Sequence, residues 1–378
     1  MMTQFIRIKD LAKKYELTTR TLRFWEEKGL IGSTFRGAGS RRNYGVEIET
    51  EIQKIQSLKA RGLSLEQIKE IVDEERRLDV KQVKGQRSVR ILVDSTSSIP
   101  PKMARQKGID VIPLYVNIGN RTYLDGVNID ESSFFEKIDS AKQKGPLSTH
   151  PPTEDDFFRY YAQLVHQGAK TIYSIHISEG FSQTVVNARA AARRFTDVAV
   201  HVFDSGTSGQ ALLMLALALQ EKIDSGASES DCIEYVTQLI KSNYIVVTIT
   251  SIKTLSALGL LTLNVEAAYA GLLAEVLNFR PVLEILGGSP KFNLVRRAES
   301  LKEALETLNE CLKIAIKASK LKIKMIGVSH SRLDKEAQAI RLRLETELNI
   351  PVWVQQGSAV LCMHLGPQSL GVNVLFEA

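Results

Sequence analysis

The sequence predicts a multi-domain chain, with an all-α winged helix-turn-helix domain at the N-terminus followed by a two-lobed α/β domain. Three observations predict it. The charge is lopsided: residues 1–86 hold 18 Lys+Arg against 13 Asp+Glu, or +5 of a formal net charge of +6. Two short helical patterns joined by a turn open the chain and run into a Gly/Ser/Arg-rich stretch. From residue 88 onward, apolar strand-like runs alternate with helical patterns, as layered α/β folds require. At 378 residues the chain exceeds what one ordinary core organises. The expected boundaries are a basic module at 1–78, a linker at 79–87, and lobes at 88–250 and 251–378.

In the basic module, 8-IKDLAKKYEL-17 carries helical spacing at Ile8, Leu11, Ala12 and Tyr15. Thr18 or Thr19 suits the cap of a second helix, 20-RTLRFWEEKG-29, which Gly29 would end. Two such helices joined by a short turn make a helix-turn-helix whose second helix fits the major groove. The stretch 32-GSTFRGAGSRRNYG-45 suits a hairpin wing that offers Arg36, Arg41 and Arg42 to phosphates. Helices over 46–62 and 64–77 complete the module. Leu22, Phe24, Leu30 and Ile31 are expected in its core. A basic module on a near-neutral body points to a polyanionic partner for that module alone.

The stretches 17-LTTRTLRFWEEKGLI-31, 41-RRNY-44 and 58-LKARGLSLEQIKEIV-72 resemble the DNA-binding domain of the MerR family of regulators. The match spans nearly all of residues 5–77. It implies that double-stranded DNA is contacted by Arg20, Arg23, Arg42 and Tyr44, with Thr19 and Thr21 near the groove; Arg41, from the wing's composition, is expected to join them. Trp25 stands where that family usually has Tyr, and Arg41 where it usually has an aromatic residue. MerR-type proteins dimerise through a long helix after this domain, whereas 79-DVKQVKGQRS-88 reads as a short linker. Reading a palindrome takes two copies about one DNA turn apart. A homodimer held through the second module is therefore expected.

The second module is expected to bury an acidic head group. Three loops rich in Gly, Ser or Thr follow strand-like runs: 94-DSTSS-98, 177-ISEGFSQT-184 and 204-DSGTSG-209; 148-STHPP-152 adds hydroxyls and a histidine. A strand ending in such a loop that opens a helix gathers N–H groups and hydroxyls at one point. Each loop could equally serve as a helix cap. Asp94 and Asp204 are expected to bond neighbouring N–H groups and hold their loops open. Asp155/Asp156 reads as helix-start chemistry, and His330 as a structural histidine.

The stretches 94-DSTSSIP-100, 123-YLDGVNID-130, 146-PLSTHPPTEDDFFRYYAQL-164, 177-ISEGFSQTVVNARAAA-192, 204-DSGTSGQ-210, 279-FRPVLEILGG-288 and 364-HLGPQSLG-371 resemble the DegV family, over essentially all of 88–378. That family includes the fatty-acid-binding subunits of bacterial fatty acid kinase. The resemblance implies two α/β lobes around a tunnel for one long-chain fatty acid. It also implies a carboxylate site at Ser148/Thr149 and Ser182, helped by His364; Thr184 and Arg280 are further expected ligand-binding residues. Burying about fourteen methylenes at ~0.8 kcal/mol each offers on the order of 11 kcal/mol gross. The head group keeps that gain only if two or three donors pair it. The stretch 255–277 supplies apolar residues for a tunnel. This chain departs from the family pattern in reading Ser148-Thr149-His150-Pro151 for Thr-Ser-Gln-Pro. It also has Gln183 where a Gly is usual, and has lost the hydroxyls flanking His364.

No Ser-His-Asp set, metal-ligand cluster or dinucleotide fingerprint stands out, so no cofactor, no metal and no catalysis are expected. Three scattered cysteines, no signal-peptide pattern and a longest apolar run of about nine residues (211–219) fit a cytoplasmic protein without a membrane span. The expected function is a one-component transcriptional regulator that senses a long-chain fatty acid or acyl derivative. The alternatives are an acyl carrier serving a fatty acid kinase subunit, and a regulator whose cleft takes another small acid.

Overall fold

The computed structural model describes residues 6–32, 35–36, 42–44, 47–60, 62–81, 87–139, 146–250, 261–262 and 279–377. The chain divides into two compact units, residues 1–83 and 84–378.

In the first unit, β1 (Ile6–Arg7) leads into α1 (Ile8–Lys14) and α2 (Thr19–Glu27). Strands β2 (Phe35–Arg36) and β3 (Arg42–Tyr44) form the wing, and β3 also pairs with β1. Helices α3 (Glu47–Ala60) and α4 (Leu65–Lys81) follow. Thr18 caps α2 by accepting from the Thr21 N–H at 3.0 Å, and Gly29, at φ +70°, turns the chain after it. Ile48, Ile52 and Ile55 recur at helical spacing and are buried with Leu11, Leu22, Leu30, Ile68 and Ile71. Two expectations change. Helix α4 runs to Lys81, into the stretch read as linker. Phe24 is 40% exposed with Lys28 over its ring, while its neighbour Trp25 is buried in the core.

Among its described residues, the second unit is built on three sheets. Strands β4 (Val89–Asp94), β5 (Ile109–Ile112), β9 (Thr171–His176) and β10 (Ala199–Asp204) form a parallel sheet in the order β10-β9-β4-β5. Strands β6 (Tyr115–Ile118), β7 (Arg121–Leu124) and β8 (Leu147–His150) form an antiparallel sheet, ordered β7-β6-β8. The largest sheet, of seven strands, contains β11 (Asn243–Thr248), β12 (Leu261–Thr262), β13 (Arg280–Leu286), β14 (Phe292–Ala298), β15 (Ile323–His330), β16 (Val352–Gln356) and β17 (Leu370–Phe376). Its order is β12-β14-β13-β11-β17-β15-β16. Strand β11, read from sequence as part of the first lobe, therefore lies in the middle of the second lobe's sheet.

Helices α5 (Pro101–Lys107), α6 (Glu131–Asp139), α7 (Glu154–His166), α8 (Thr184–Ala192), α9 (Gly209–Asp224) and α10 (Glu229–Lys241) belong to the first part of this unit. Helices α11 (Leu301–Ser319), α12 (Asp334–Leu348) and α13 (Ala359–Leu365) belong to the second. The apolar run 211–219 lies in α9, whose residues from Gly209 to Gln220 are all buried. It packs between Ile91, Val93 and Tyr173 on one side and Leu375, Met325 and Trp353 on the other. A helix buried on both sides must be apolar all round. Among the described residues, no helix is long and apolar enough to cross a membrane.

Candidate fatty-acid head-group site

Strand register decides which hydroxyl of β8 reaches the site. Thr149 lies opposite Val116 and Ser148 opposite Asn117, so alternation sends the two hydroxyls to opposite faces. Val116 packs against Ala359, Val360 and Cys362 of α13. On that face Thr149 Oγ1 lies 2.8 Å from His364 Nε2. Ser148 is engaged elsewhere, accepting from Asn117 Nδ2 at 3.2 Å and lying 3.4 Å from the exposed His150 ring. The structure thus brings Thr149, and not Ser148, to His364.

Burial pushes the His364 pKa below its ordinary value, so the ring is neutral at and above pH 7. Its Nδ1 is buried without a partner among the described residues. When the Thr149 hydroxyl donates to Nε2, the proton resides on Nδ1, which is then a free donor. This neutral tautomer donates without carrying a positive charge.

The second hydroxyl pair sits where the 177–184 loop enters α8. Ser182 Oγ lies 2.8 Å from Thr184 Oγ1 and also accepts from the Thr184 N–H at 3.3 Å. Phe181 stacks on Phe292, with ring centroids 5.4 Å apart. Both belong to an apolar cluster with Ile245, Val247, Leu283, Ile285, Phe279 and Leu365. Leu365 adjoins His364 and Phe181 adjoins Ser182 in the chain, so each polar pair is one residue from a member of this cluster. A Cβ on Gly180 would come within 2.4 Å of Pro290, so only glycine lets the β13–β14 turn close on this loop. Asn187 of α8 donates to the Pro152 carbonyl at 2.7 Å, holding the Ser182 loop beside the strand that carries Thr149. Among the described residues no hydrogen bond joins the two pairs directly. The expected tunnel stretch 255–277 falls almost wholly outside the described residues.

Arg280 opens β13 and donates to the side chain and backbone carbonyl of Gln368, two residues beyond the Gly366 that ends α13. Burial lowers its pKa, and among the described residues no carboxylate pairs with it. It is tied to the segment that follows His364.

The remaining two loops spend most of their polar groups internally, while the buried Ser97 hydroxyl has no partner among the described residues. Asp94 accepts from the Thr96 and Ile177 N–H groups, and Asp204 from those of Gly206 and Glu179. Ser95 bonds Asp125, and Ser98 accepts from the Ser358 N–H. Sequence reasoning missed a buried chain built on this frame. Asp94 Oδ2 lies 3.2 Å from His176 Nδ1, His176 Nε2 2.6 Å from Ser174 Oγ, and Ser174 Oγ 2.8 Å from Tyr161 OH. All four residues are 0% exposed, which leaves Ser174 no access to a substrate. The alternation of Ser174 and His176 along β9 was its one sequence signal.

In the first unit, Arg20, Arg23 and Glu27 are exposed with Phe24 on one face of α2, opposite buried Leu22 and Trp25. Thr19 and Thr21 are partly exposed at its start. Tyr44 is 1% exposed with its hydroxyl 3.3 Å from Glu26, so its ring builds the headpiece core and does not face DNA. Arg42 lies on β3, and Arg41 is outside the described residues. Among the described residues no cluster of His, Cys, Asp or Glu could hold a metal.

The family model described as "Uncharacterised protein, DegV family" matches residues 88–377, and that described as "MerR HTH family regulatory protein" matches residues 6–75. Protein DegV of Bacillus subtilis is 27% identical over 294 residues, covering 77% of this chain and 100% of that protein. The crystal structure of DegV, a fatty acid binding protein from Bacillus subtilis, has a TM-score of 0.66 at 26% identity, covering 76% of this chain and 99% of that one. A fatty-acid-binding DegV family protein from Thermus thermophilus gives a TM-score of 0.65 at 25% identity, covering 77% and 100%. The chain belongs to the DegV family, and it carries a MerR-family helix-turn-helix ahead of its DegV domain.

Proposed function

We propose that this protein is a cytoplasmic one-component transcriptional regulator that binds DNA as a homodimer and senses a long-chain fatty acid. One observation carries the reading: the Thr149–His364 and Ser182–Thr184 pairs each adjoin in the chain a member of one apolar cluster, Leu365 and Phe181, in a domain whose solved relatives bind fatty acids. The acyl chain lies against Phe181, Phe292 and Leu365. Its carboxylate accepts from hydroxyls and from His364 Nδ1–H. At the other end of the sequence, α2 offers Arg20 and Arg23 on an exposed face, as a recognition helix does. For the ligand to switch DNA binding, it must favour one dimer geometry over another. A coupling of ~1–3 kcal/mol is ample.

The test is mass spectrometry of ligand extracted from the purified full chain. A C14–C18 fatty acid at near one equivalent, lost from the Ser182→Ala and Thr149→Val variants, supports the reading. A folded protein that carries and takes up none of these acids contradicts it.

A further inference from the structure

The helix that presents His364 is held at its other end by a carboxylate with no part in the site described so far. Asp125 follows β7, in the segment 123-YLDGVNID-130, and is 1% exposed. Its Oδ2 accepts from Ser95 Oγ at 2.8 Å, and its Oδ1 accepts from the Ala359 N–H at 3.0 Å. Ser95 in turn accepts from the Leu114 N–H at 3.0 Å, while the Leu114 carbonyl accepts from the Asp125 N–H at 2.9 Å. Beside this knot the Ser98 hydroxyl accepts from the Ser358 N–H at 2.8 Å, and Gln355 donates to the Ser97 and Ser98 carbonyls. The first turn of α13 is therefore gripped by the 94–98 loop and Asp125, and its last turn by Thr149. From Ala359 to His364 is about 7.5 Å of helix. Over so short a rigid span, a shift at one end moves the other.

We propose that Asp125 is the positioning residue of the head-group site, its carboxylate setting the height and rotation of α13 so that His364 meets Thr149. The effect on ligand affinity rests on the fatty-acid reading given above, whereas the effect on His364 does not. A carboxylate is suited to the task because it only accepts, and donors reach it from both sides. An asparagine at this place would turn its NH2 towards one of those donors. Burial raises the Asp125 pKa to about 7, so the carboxylate exchanges its proton near neutral pH. A protonated Asp125 has lost part of its acceptor capacity, and either Ser95 or the Ala359 N–H must give way. The other ionisable groups near this part of α13 are Cys362 on α13 itself, whose thiol burial pushes up to about 12, Glu131 on α6 and Arg332 after β15. Glu131 accepts from the Arg332 N–H at 2.8 Å. Burial holds His364 below its ordinary range; the buried Asp94–His176 pair lies next along the 94–98 loop, and the His330 carbonyl accepts from the Gly357 N–H ahead of α13.

The experiment compares full-length wild type, Asp125→Asn and Ser95→Ala. The readouts are palmitate affinity by calorimetry from pH 6.5 to 8.5 and the imidazole ¹⁵N shifts of His364 without ligand, assigned with His364→Gln. We expect Asp125→Asn to weaken palmitate about tenfold at pH 8 and to flatten the wild-type pH dependence. We also expect it to move His364 from one tautomer to a mixture. A purely structural role would lower the melting temperature and leave the tautomer and pH profile alone. Unchanged His364 shifts in a folded Asp125→Asn overturn the proposal. If that variant does not fold, Ser95→Ala decides by the same two readouts. If wild type binds no palmitate, the fatty-acid reading fails and the His364 shifts alone decide the positioning role.

Discussion

Replacing Thr149 by Val tests the site where its geometry is best defined. Valine keeps the shape and the β propensity of residue 149 but deletes the hydroxyl that meets His364 Nε2 at 2.8 Å. Two effects follow. In the free protein one neutral hydrogen bond is lost, about 1 kcal/mol of stability. In the complex the loss is larger, because the Thr149 hydroxyl no longer holds the His364 proton on Nδ1. A donor to an ionised carboxylate contributes ~1.5–3 kcal/mol, so palmitate should bind about 10- to 100-fold more weakly. Calorimetry at pH 8, where His364 is neutral, gives the affinity, and thermal unfolding gives the stability. A folded Thr149→Val that binds palmitate within twofold of wild type would refute the head-group assignment. Ser148→Ala is the control. With its hydroxyl spent on Asn117 and beside His150, it should change affinity less than threefold.

Other predictions follow from individual contacts. Arg23→Ala should weaken DNA binding and reduce the slope of log K against log salt by roughly one, if Arg23 meets a phosphate; an unchanged slope excludes that contact. His176→Leu breaks the buried chain from Asp94 to Tyr161 and leaves polar partners unsatisfied. It should lower stability by about 3 kcal/mol in denaturant titration, with no change in DNA affinity. Asp125 has a folded pKa raised from 3.8 to about 7, so its contribution to stability is complete below pH 3.8 and is lost as pH rises through 7. At 1.36 kcal/mol per pKa unit this amounts to about 4 kcal/mol. The stability of Asp125→Asn relative to wild type should therefore rise between pH 6 and pH 8, and a flat difference would contradict the assignment.

Much of this was legible in the sequence because it depends on local chemistry. Thr18 could be read as a cap, Gly29 as a turn, and the alternation after residue 88 as α/β layers. What escaped depends on register and tertiary packing. Ser148 and Thr149 are adjacent and both hydroxylated, and only the pairing of β8 with β6 shows which one faces α13. Phe24 and Trp25 are likewise adjacent apolar residues, and the helix phase buries Trp25 and exposes Phe24. Tyr44 resembles a wing contact by position, yet the wing folds it inward onto Glu26. Asp125 reads as a turn residue before Gly126. Its role comes from Ala359, 234 positions away, a distance over which no local pattern operates.

The central claim is that filling the DegV domain changes how the helix-turn-helix domain holds DNA. The most direct measurement is the affinity of the full chain for its operator duplex, selected from genomic fragments, at fixed salt with and without saturating palmitate. The account predicts a change of tenfold or more in wild type, or about 1.4 kcal/mol of coupling. It predicts no change in Thr149→Val at a palmitate concentration that leaves the variant empty. Equal affinity in the two states, with palmitate shown to be bound, would contradict it.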